Sequence, residues 1–483
     1  MRVEIDTGVL VGDVTGDVVR FRGIPFADRP VGRLRFRRPA PAPRWSGERT
    51  AIDPAPAPQQ DKTVGVGLRG AAVSAEDCLY LNVFAPAARA TQPRPVFVWI
   101  YGGGYLHGDG ADPLFDGSNL ARSQDLVVVT FNYRLGLWGF APLVERNVGL
   151  ADQIAALEWV ARNIGKFGGD PGNVTLAGES SGAMSVCNLL AAPSARGLFH
   201  RAIAQSGAAG HIATRAQADE TAQVAREEFG IDPDEATPAR ILAAQRATIA
   251  RLRPRHHASP IRPHVDGDLL PVHPLAAAQT GSSVPLIIGI NRDEYRLYIR
   301  ASLKLADDAL QAHLERRLTE SGADDVADTA RRLIAHYRSL GADSRNPNAA
   351  MFADIETELR FRDPMLRYAL ARGRNTWMYR FDWPSPALRG WLGATHAIEI
   401  PFVFGNFELA SIAKFVGAGP DATALSRNMM ALWADFARDG RPPRSWEPFT
   451  ADRRMQLVLN RAIASERIDD DATVRLWDTI LRR

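Results

Sequence analysis

Thiols, lysines and long apolar runs are all scarce in this chain of 483 residues. The two cysteines, Cys78 and Cys187, are too few for a secreted disulfide scaffold and favour a reducing, cytoplasmic location. No stretch approaches the roughly 18 uninterrupted apolar residues of a membrane-spanning helix. The opening MRVEIDTG carries Glu4 and Asp6 and lacks the apolar segment of a signal peptide, which again points to the cytoplasm. Charge of one sign is lacking too: 58 basic against 55 acidic residues leave +3, and all the basic residues but Lys62, Lys166, Lys304 and Lys414 are arginine. A nucleic-acid partner calls for a concentrated basic stripe. The densest basic stretch, 251–257, is short, holds Pro254 and reads as a solvated loop. Neither an internal repeat nor a low-complexity tract occurs.

The composition that remains, 46% hydrophobic and 23% charged, is that of a soluble globular protein. Short β-rich apolar runs recur at residues 79–84, 96–101, 126–132, 174–177, 202–205 and 285–290. Several are continuous rather than alternating, as in strands buried on both faces. Between them, residues 150–164 place Leu150, Ile154, Leu157 and Ala161 on one helical stripe. Strands alternating with such helices predict an α/β fold, a large, mostly parallel central sheet with helices on both faces. Two helical, charge-rich stretches, about 214–252 and 300–372, contribute no strands and read as insertions into a single domain spanning 1–483. They are expected to line a pocket together with Tyr105 and Leu106.

Two glycine motifs compete for attention. Gly65-Val66-Gly67-Leu68-Arg69-Gly70 fits the dinucleotide fingerprint G-x-G-x-x-G, but no strand precedes it and position 90 is alanine rather than an acid. It reads as a glycine-rich surface loop. Gly178-Glu179-Ser180-Ser181-Gly182 fits G-x-S-x-G, a pattern that average usage produces by chance roughly 0.1–0.2 times in such a chain. Its context is what separates it from chance. The run 174–177 supplies a strand before it and the apolar 183–190 a helix after it, so Ser180 sits on a strained strand-to-helix turn with its hydroxyl projecting.

A serine hydroxyl attacks only when a base takes its proton. In this arrangement the chain order is serine, acid, histidine. His313 and His336 fall in amphipathic, arginine-rich helices and read as surface residues, whereas His396 lies in an aperiodic run of small residues, 393–399, that presents a side chain. The acid belongs just past a strand's carboxyl end. After the run 285–290 both Asp293 and Glu294 qualify, and position does not separate them. For a developing oxyanion, Gly102-Gly103-Gly104 ends another strand in bare backbone, and the N–H of Ser181 adds a donor.

Taken together these residues resemble the type-B carboxylesterases, α/β-hydrolase proteins that include bacterial p-nitrobenzyl esterases and cholinesterases. The resemblance rests on Phe167-Gly168-Gly169-Asp170-Pro171 leading into the serine motif, and on Glu76-Asp77-Cys78-Leu79-Tyr80-Leu81-Asn82-Val83. It rests also on Phe21-Arg22-Gly23-Ile24-Pro25, on Asn132-Tyr133-Arg134-Leu135, and on His396 followed by Glu399 and Phe402-Val403-Phe404-Gly405. It implies the α/β-hydrolase fold and a cofactor-free, metal-free serine carboxylester hydrolase acting on small to medium esters through an acyl-enzyme on Ser180. It implies Glu294 as the acid, oxyanion donors at Gly103, Gly104 and Ser181, a supporting Ser206, and Glu179 as an acid that steadies the imidazolium. Tyr295 departs from the glycine that many members carry after the acid. No tryptophan lies between Trp45 and Trp99, where cholinesterases keep one for choline.

The same machinery can attack amides or carbamates, and a non-catalytic binding protein on this fold is the rival of another class. A small-molecule ester is the implied partner, with neither nucleic acid nor membrane. His396 must be neutral to act as a base, which predicts activity rising as the pH climbs through roughly 6–7.

Overall fold

A sheet with its chemistry at one end requires continuous apolar strands running the same way, and the chain supplies them. The computed structural model describes residues 1–61, 73–253, 259–280, 282–341 and 346–481. Its main sheet has eleven strands: β1 (Asp13–Thr15), β2 (Val18–Pro25), β3 (Tyr80–Pro86), β4 (Arg94–Ile100), β5 (Val127–Phe131), β6 (Gly169–Glu179), β7 (Arg201–Gln205), β8 (Leu286–Asn291), β9 (Thr376–Phe381), β10 (Met455–Leu459) and β11 (Ile463–Arg467). Their spatial order is β11-β10-β9-β8-β7-β6-β4-β5-β3-β2-β1. From β5 to β10 neighbours run parallel, while β11 and the β3-β2-β1 side close the sheet antiparallel. The predicted α/β-hydrolase architecture is the one observed.

All six apolar runs read from the sequence are strands. The run at 174–177 is the buried end of a longer strand that starts at Gly169, with a register irregularity between Gly169 and Val174. β6 sits at the sheet centre, pairing with β4 through Gly178↔Ile100 and with β7 through Glu179↔Gln205. Val96, Val98, Trp99, Leu176, Ile203 and Ile288 are all fully buried, as strands covered on both faces must be.

The covering helices include α1 (Val148–Asn163), α2 (Ser181–Ala191), α3 (Arg215–Phe229) and α4 (Pro238–Leu252). The stretch 300–372 folds into α5 (Asp307–Glu320), α6 (Val326–Ser339), α7 (Pro347–Thr357) and α8 (Asp363–Arg372), and further on come α9 (Pro420–Asp439) and α10 (Ala472–Leu481). α5, α6 and α7 share a small apolar cluster of their own, in which Leu314, Leu333 and Met351 pack with Trp477 and Leu481 of α10. The basic stretch at 251–257 is not wholly a loop, because α4 runs to Leu252; residues 254–257 and the glycine loop at 65–70 lie outside the described residues. No helix among the described residues is long and apolar enough to cross a membrane.

Candidate active site

β6 ends in the elbow. Ser180 adopts φ 55° and ψ −124°, a conformation that costs a non-glycine residue on the order of 1–3 kcal/mol. Its N–H donates to the Gln205 carbonyl at 2.8 Å, and its own carbonyl accepts from Met184 as α2 begins, so the turn is held on both sides. Gly182 is obligatory for a packing reason: a Cβ there would lie 2.0 Å from the Ile100 carbonyl oxygen. The serine side chain is half-buried between these elements.

Past β4, Gly103 takes φ 112° and Gly104 φ 65°. The Gly103 carbonyl turns back to accept from Leu106 and His107, both at 3.1 Å, and a Cβ on Gly103 would strike the His107 carbonyl at 2.1 Å. Both glycines are exposed, and no backbone acceptor among the described residues takes their N–H groups. Tyr105 does not line a pocket as expected. It is 2% exposed, its ring lies 4.7 Å from Phe140, and its N–H donates to Ser181 Oγ at 3.4 Å, so it underpins the glycine turn from within. Leu106, beside it, stays half-buried.

The third strand end, past β8, separates the two acids. Glu294 is fully buried; one carboxylate oxygen accepts from the Asn291 N–H at 2.8 Å and the other lies 2.6 Å from His396 Nδ1. Asp293 instead accepts from the Ala394 N–H at 2.8 Å and pairs with Arg292 at 3.0 Å. Asp293 thus holds the loop that carries the histidine, and Glu294 holds the ring. His396 is 4% exposed, flanked by the rings of Phe361 at 5.1 Å and Tyr298 at 5.5 Å.

The other ring nitrogen, Nε2, lies 3.1 Å from Glu179 Oε1, and no hydrogen bond joins it to the Ser180 hydroxyl among the described residues. A third carboxylate, Glu399, is fully buried below, accepting from Gln205 Nε2 at 3.1 Å and Asn291 Nδ2 at 2.5 Å. Burial opposes charge on His396, but Glu179 and Glu294 outweigh it and push its pKa up to about 9. Burial also raises Glu179 to about 8, the imidazole pulling it back and Glu399 and Glu294 adding to the rise. Glu399 is raised as well, by burial and by Glu294. Carboxylates at both ring nitrogens thus favour the imidazolium over the neutral imidazole.

Ser206 follows β7 with φ 53°, fully buried, its N–H donating to the Gly289 carbonyl and its hydroxyl unpartnered. His313 and His336 are half-buried rather than on the surface: His313 Nε2 meets Glu356 at 2.8 Å and His336 Nε2 meets Thr473 at 3.0 Å. Asn291, Phe361 and Tyr298 were not singled out from the sequence. Asn291 ends the very strand that pointed to the acid, whereas the two rings arrive from segments with no motif.

Residues 1–477 match the Carboxylesterase family. The chain is 36% identical over 482 residues to the para-nitrobenzyl esterase of Bacillus subtilis (strain 168), covering 95% of this chain and 94% of that one. It is 35% identical over 476 residues to the phenmedipham hydrolase of Pseudarthrobacter oxydans, covering 94% and 93%. Among solved structures, a thermophilic PNB esterase superposes with a TM-score of 0.86 at 33% identity, covering 99% of both chains. The chain belongs to the carboxylesterase family, and its activity is the hydrolysis of carboxylic esters.

Proposed function

We propose that Ser180 is the nucleophile, His396 its base and Glu294 the acid that orients the base. The observation that carries this reading is the 2.6 Å contact of Glu294 with His396 Nδ1, made between two loops beside the strained serine turn. In the reaction, His396 Nε2 takes the hydroxyl proton while Ser180 Oγ attacks the ester carbonyl. The N–H groups of Gly103, Gly104 and Ser181 receive the charge on the carbonyl oxygen, and loss of one such donor typically costs about 3–4 kcal/mol of barrier. The imidazolium then protonates the departing alcohol, leaving an acyl-enzyme, and the neutral ring activates water to release the acid. Ser180 Oγ must swing to Nε2 for this, displacing Glu179 from the position it holds 3.1 Å away. Glu179 steadies the cation by its field, and Ser206 packs behind the elbow.

Small to medium carboxylic esters are the substrates, turned over by one domain spanning 1–483. One apolar cluster running from Val3 to Val474 supports that extent, alongside smaller clusters in the helical stretch. The two buried free thiols, Cys78 and Cys187, support a cytoplasmic location. The test is hydrolysis of p-nitrophenyl acetate, butyrate and octanoate by the native enzyme and by Ser180→Ala. Turnover should fall about 10⁶-fold in the variant. A variant that keeps native rates removes Ser180 from the mechanism.

A further inference from the structure

His396 stands on a strained loop that needs outside support. Ala397, next to the histidine, takes φ 65° in the left-handed region without being glycine. On the way into the loop Leu388, Arg389 and Gly390 are left-handed one after another, and Leu388 is 63% exposed, so the approach gains little from packing. Such conformations persist only where the surroundings over-determine them.

The half of the loop nearer His396 has ties already described, from Ala394 to Asp293, and another from Asn291 Nδ2 to the Thr395 carbonyl at 2.8 Å. The other half, at Trp391, meets Arg296. This arginine lies two residues past Glu294, in the short turn Glu294–Tyr298. Its Nη1 donates to the Trp391 carbonyl at 3.3 Å, and its guanidinium carbon lies 5.7 Å from the centre of the Trp391 ring. Nε lies 3.7 Å from Asp293 Oδ1, and Nη2 lies 3.6 Å from Asp354 Oδ1 on α7. The arginine side chain is only 16% exposed, so little water weakens these pairs.

An apolar cluster joins the same three segments independently. It holds Ile299 just past the turn, Ala349 and Ala353 of α7, and Trp391 and Leu392 of the histidine loop. The Trp391 indole N–H donates to the Ile299 carbonyl at 3.3 Å, and the Tyr295 N–H donates to Thr357 Oγ1 at 3.0 Å. α7 gives this cluster Ala349 and Ala353 but gives the Leu314 cluster Met351 and Ile355, so the two draw on different faces of one helix. Arg296 thus puts a charge into a junction where the acid's turn, the histidine's loop and α7 meet.

We propose that Arg296 is a positioning residue for His396: by holding Trp391 and Asp293 to Asp354, it fixes the loop that sets the imidazole against Glu294. The proposal rests on His396 being the base and Glu294 its acid, and it adds the group that places them. Arginine suits the task because its planar fork meets a carbonyl and two carboxylates in one geometry, whereas a lysine ammonium is a point charge on a flexible stem.

The test is steady-state hydrolysis of p-nitrophenyl butyrate by the native enzyme, Arg296→Met and Arg296→Lys, with the folded fraction of each read by circular dichroism. Arg296→Met should lower kcat about 10- to 100-fold, the scale of a small misplacement of a catalytic group, while KM stays within about 2-fold. kcat/KM falls in step, because the base acts only as the transition state forms. Arg296→Lys should restore part of the rate. Asp354→Asn should lower kcat about 3- to 10-fold in the native background and add nothing in Arg296→Met, since the two side chains form one tie. If Arg296→Met does not fold, Asp354→Asn and Arg296→Lys decide instead, and native kcat in both overturns the role. Native kcat in folded Arg296→Met, a change in KM alone, or losses that add in the double variant also overturn it and leave the nucleophile, base and acid in place. A Glu294→Gln enzyme with native kcat would instead bring down the pairing of acid and base, and this proposal with it.

Discussion

The elbow at 178–182 and the helical stretch at 300–372 meet over one histidine, yet they are built on opposite principles. In the elbow nearly every atom is fixed by backbone: Gly182 has no room for a side chain, Ser180 is held at φ 55°, and Met184 and Gln205 bind its peptide groups. In the helical stretch positions are fixed by side chains, by leucines packed in a separate cluster and by arginines converging on Glu356. Backbone geometry tolerates almost no substitution, whereas side-chain packing and charge can be redrawn while the fold survives. The proposed chemistry therefore sits on the first region, and the second leaves room for change without loss of the fold.

The sharpest way to break this contrast is at the two adjacent acids. Glu294→Gln keeps the shape but removes the charge 2.6 Å from His396 Nδ1, and kcat should fall about 10³- to 10⁴-fold. Asp293→Asn loosens only the loop at Ala394 and should cost far less. Steady-state rates on p-nitrophenyl butyrate for the pair decide it; equal losses would mean that the loop and the ring are held as one unit.

A milder break belongs to the helical stretch. Leu314 is fully buried in the cluster shared by α5, α6, α7 and α10. Leu314→Ala should cost about 2–5 kcal/mol of stability there, read by chemical denaturation, while the remaining folded enzyme keeps its turnover of neutral esters. A variant as stable as the native protein would show that this cluster is not packed as described. One that loses turnover while folded would show that this cluster, too, helps to position His396.

How far the sequence speaks follows the same division. Ser180, Gly182, Gly103 and Gly104 were legible because backbone constraints leave fixed spacing along the chain. His396 was legible because its surroundings lack any period. The strands β4 to β8 were legible because burial on both faces forces continuous apolar runs. What did not show was set by tertiary contact: the inward turn of Tyr105, the division of labour between Asp293 and Glu294 before any family likeness, and the half-buried positions of His313 and His336. Strands β1, β2 and β9 to β11 were also missed. β1 and β11 are largely exposed, while β2, β9 and β10 mix buried with half-buried positions, so none leaves the continuous apolar run that marks a doubly covered strand.

The smallest expected effect is the most informative about the site's electrostatics. As the proposed base, His396 acts only when neutral, and Glu179 and Glu294 push its pKa up to about 9, so kcat/KM should rise with pH toward that value. Glu179→Gln removes one of the two carboxylates that favour the imidazolium. The ring then loses its proton more readily, and the rising limb should move to lower pH by about one unit or less. Glu294 remains to orient the ring, so the maximum rate should fall less than in Glu294→Gln. The measurement is the pH profile of kcat/KM for both proteins on one neutral ester. A limb that stays in place would mean that Glu179 is protonated throughout the working range and lends His396 no field. A limb that moves to higher pH would reverse the sign of the interaction and place the cation's support elsewhere, on Glu294 and Glu399.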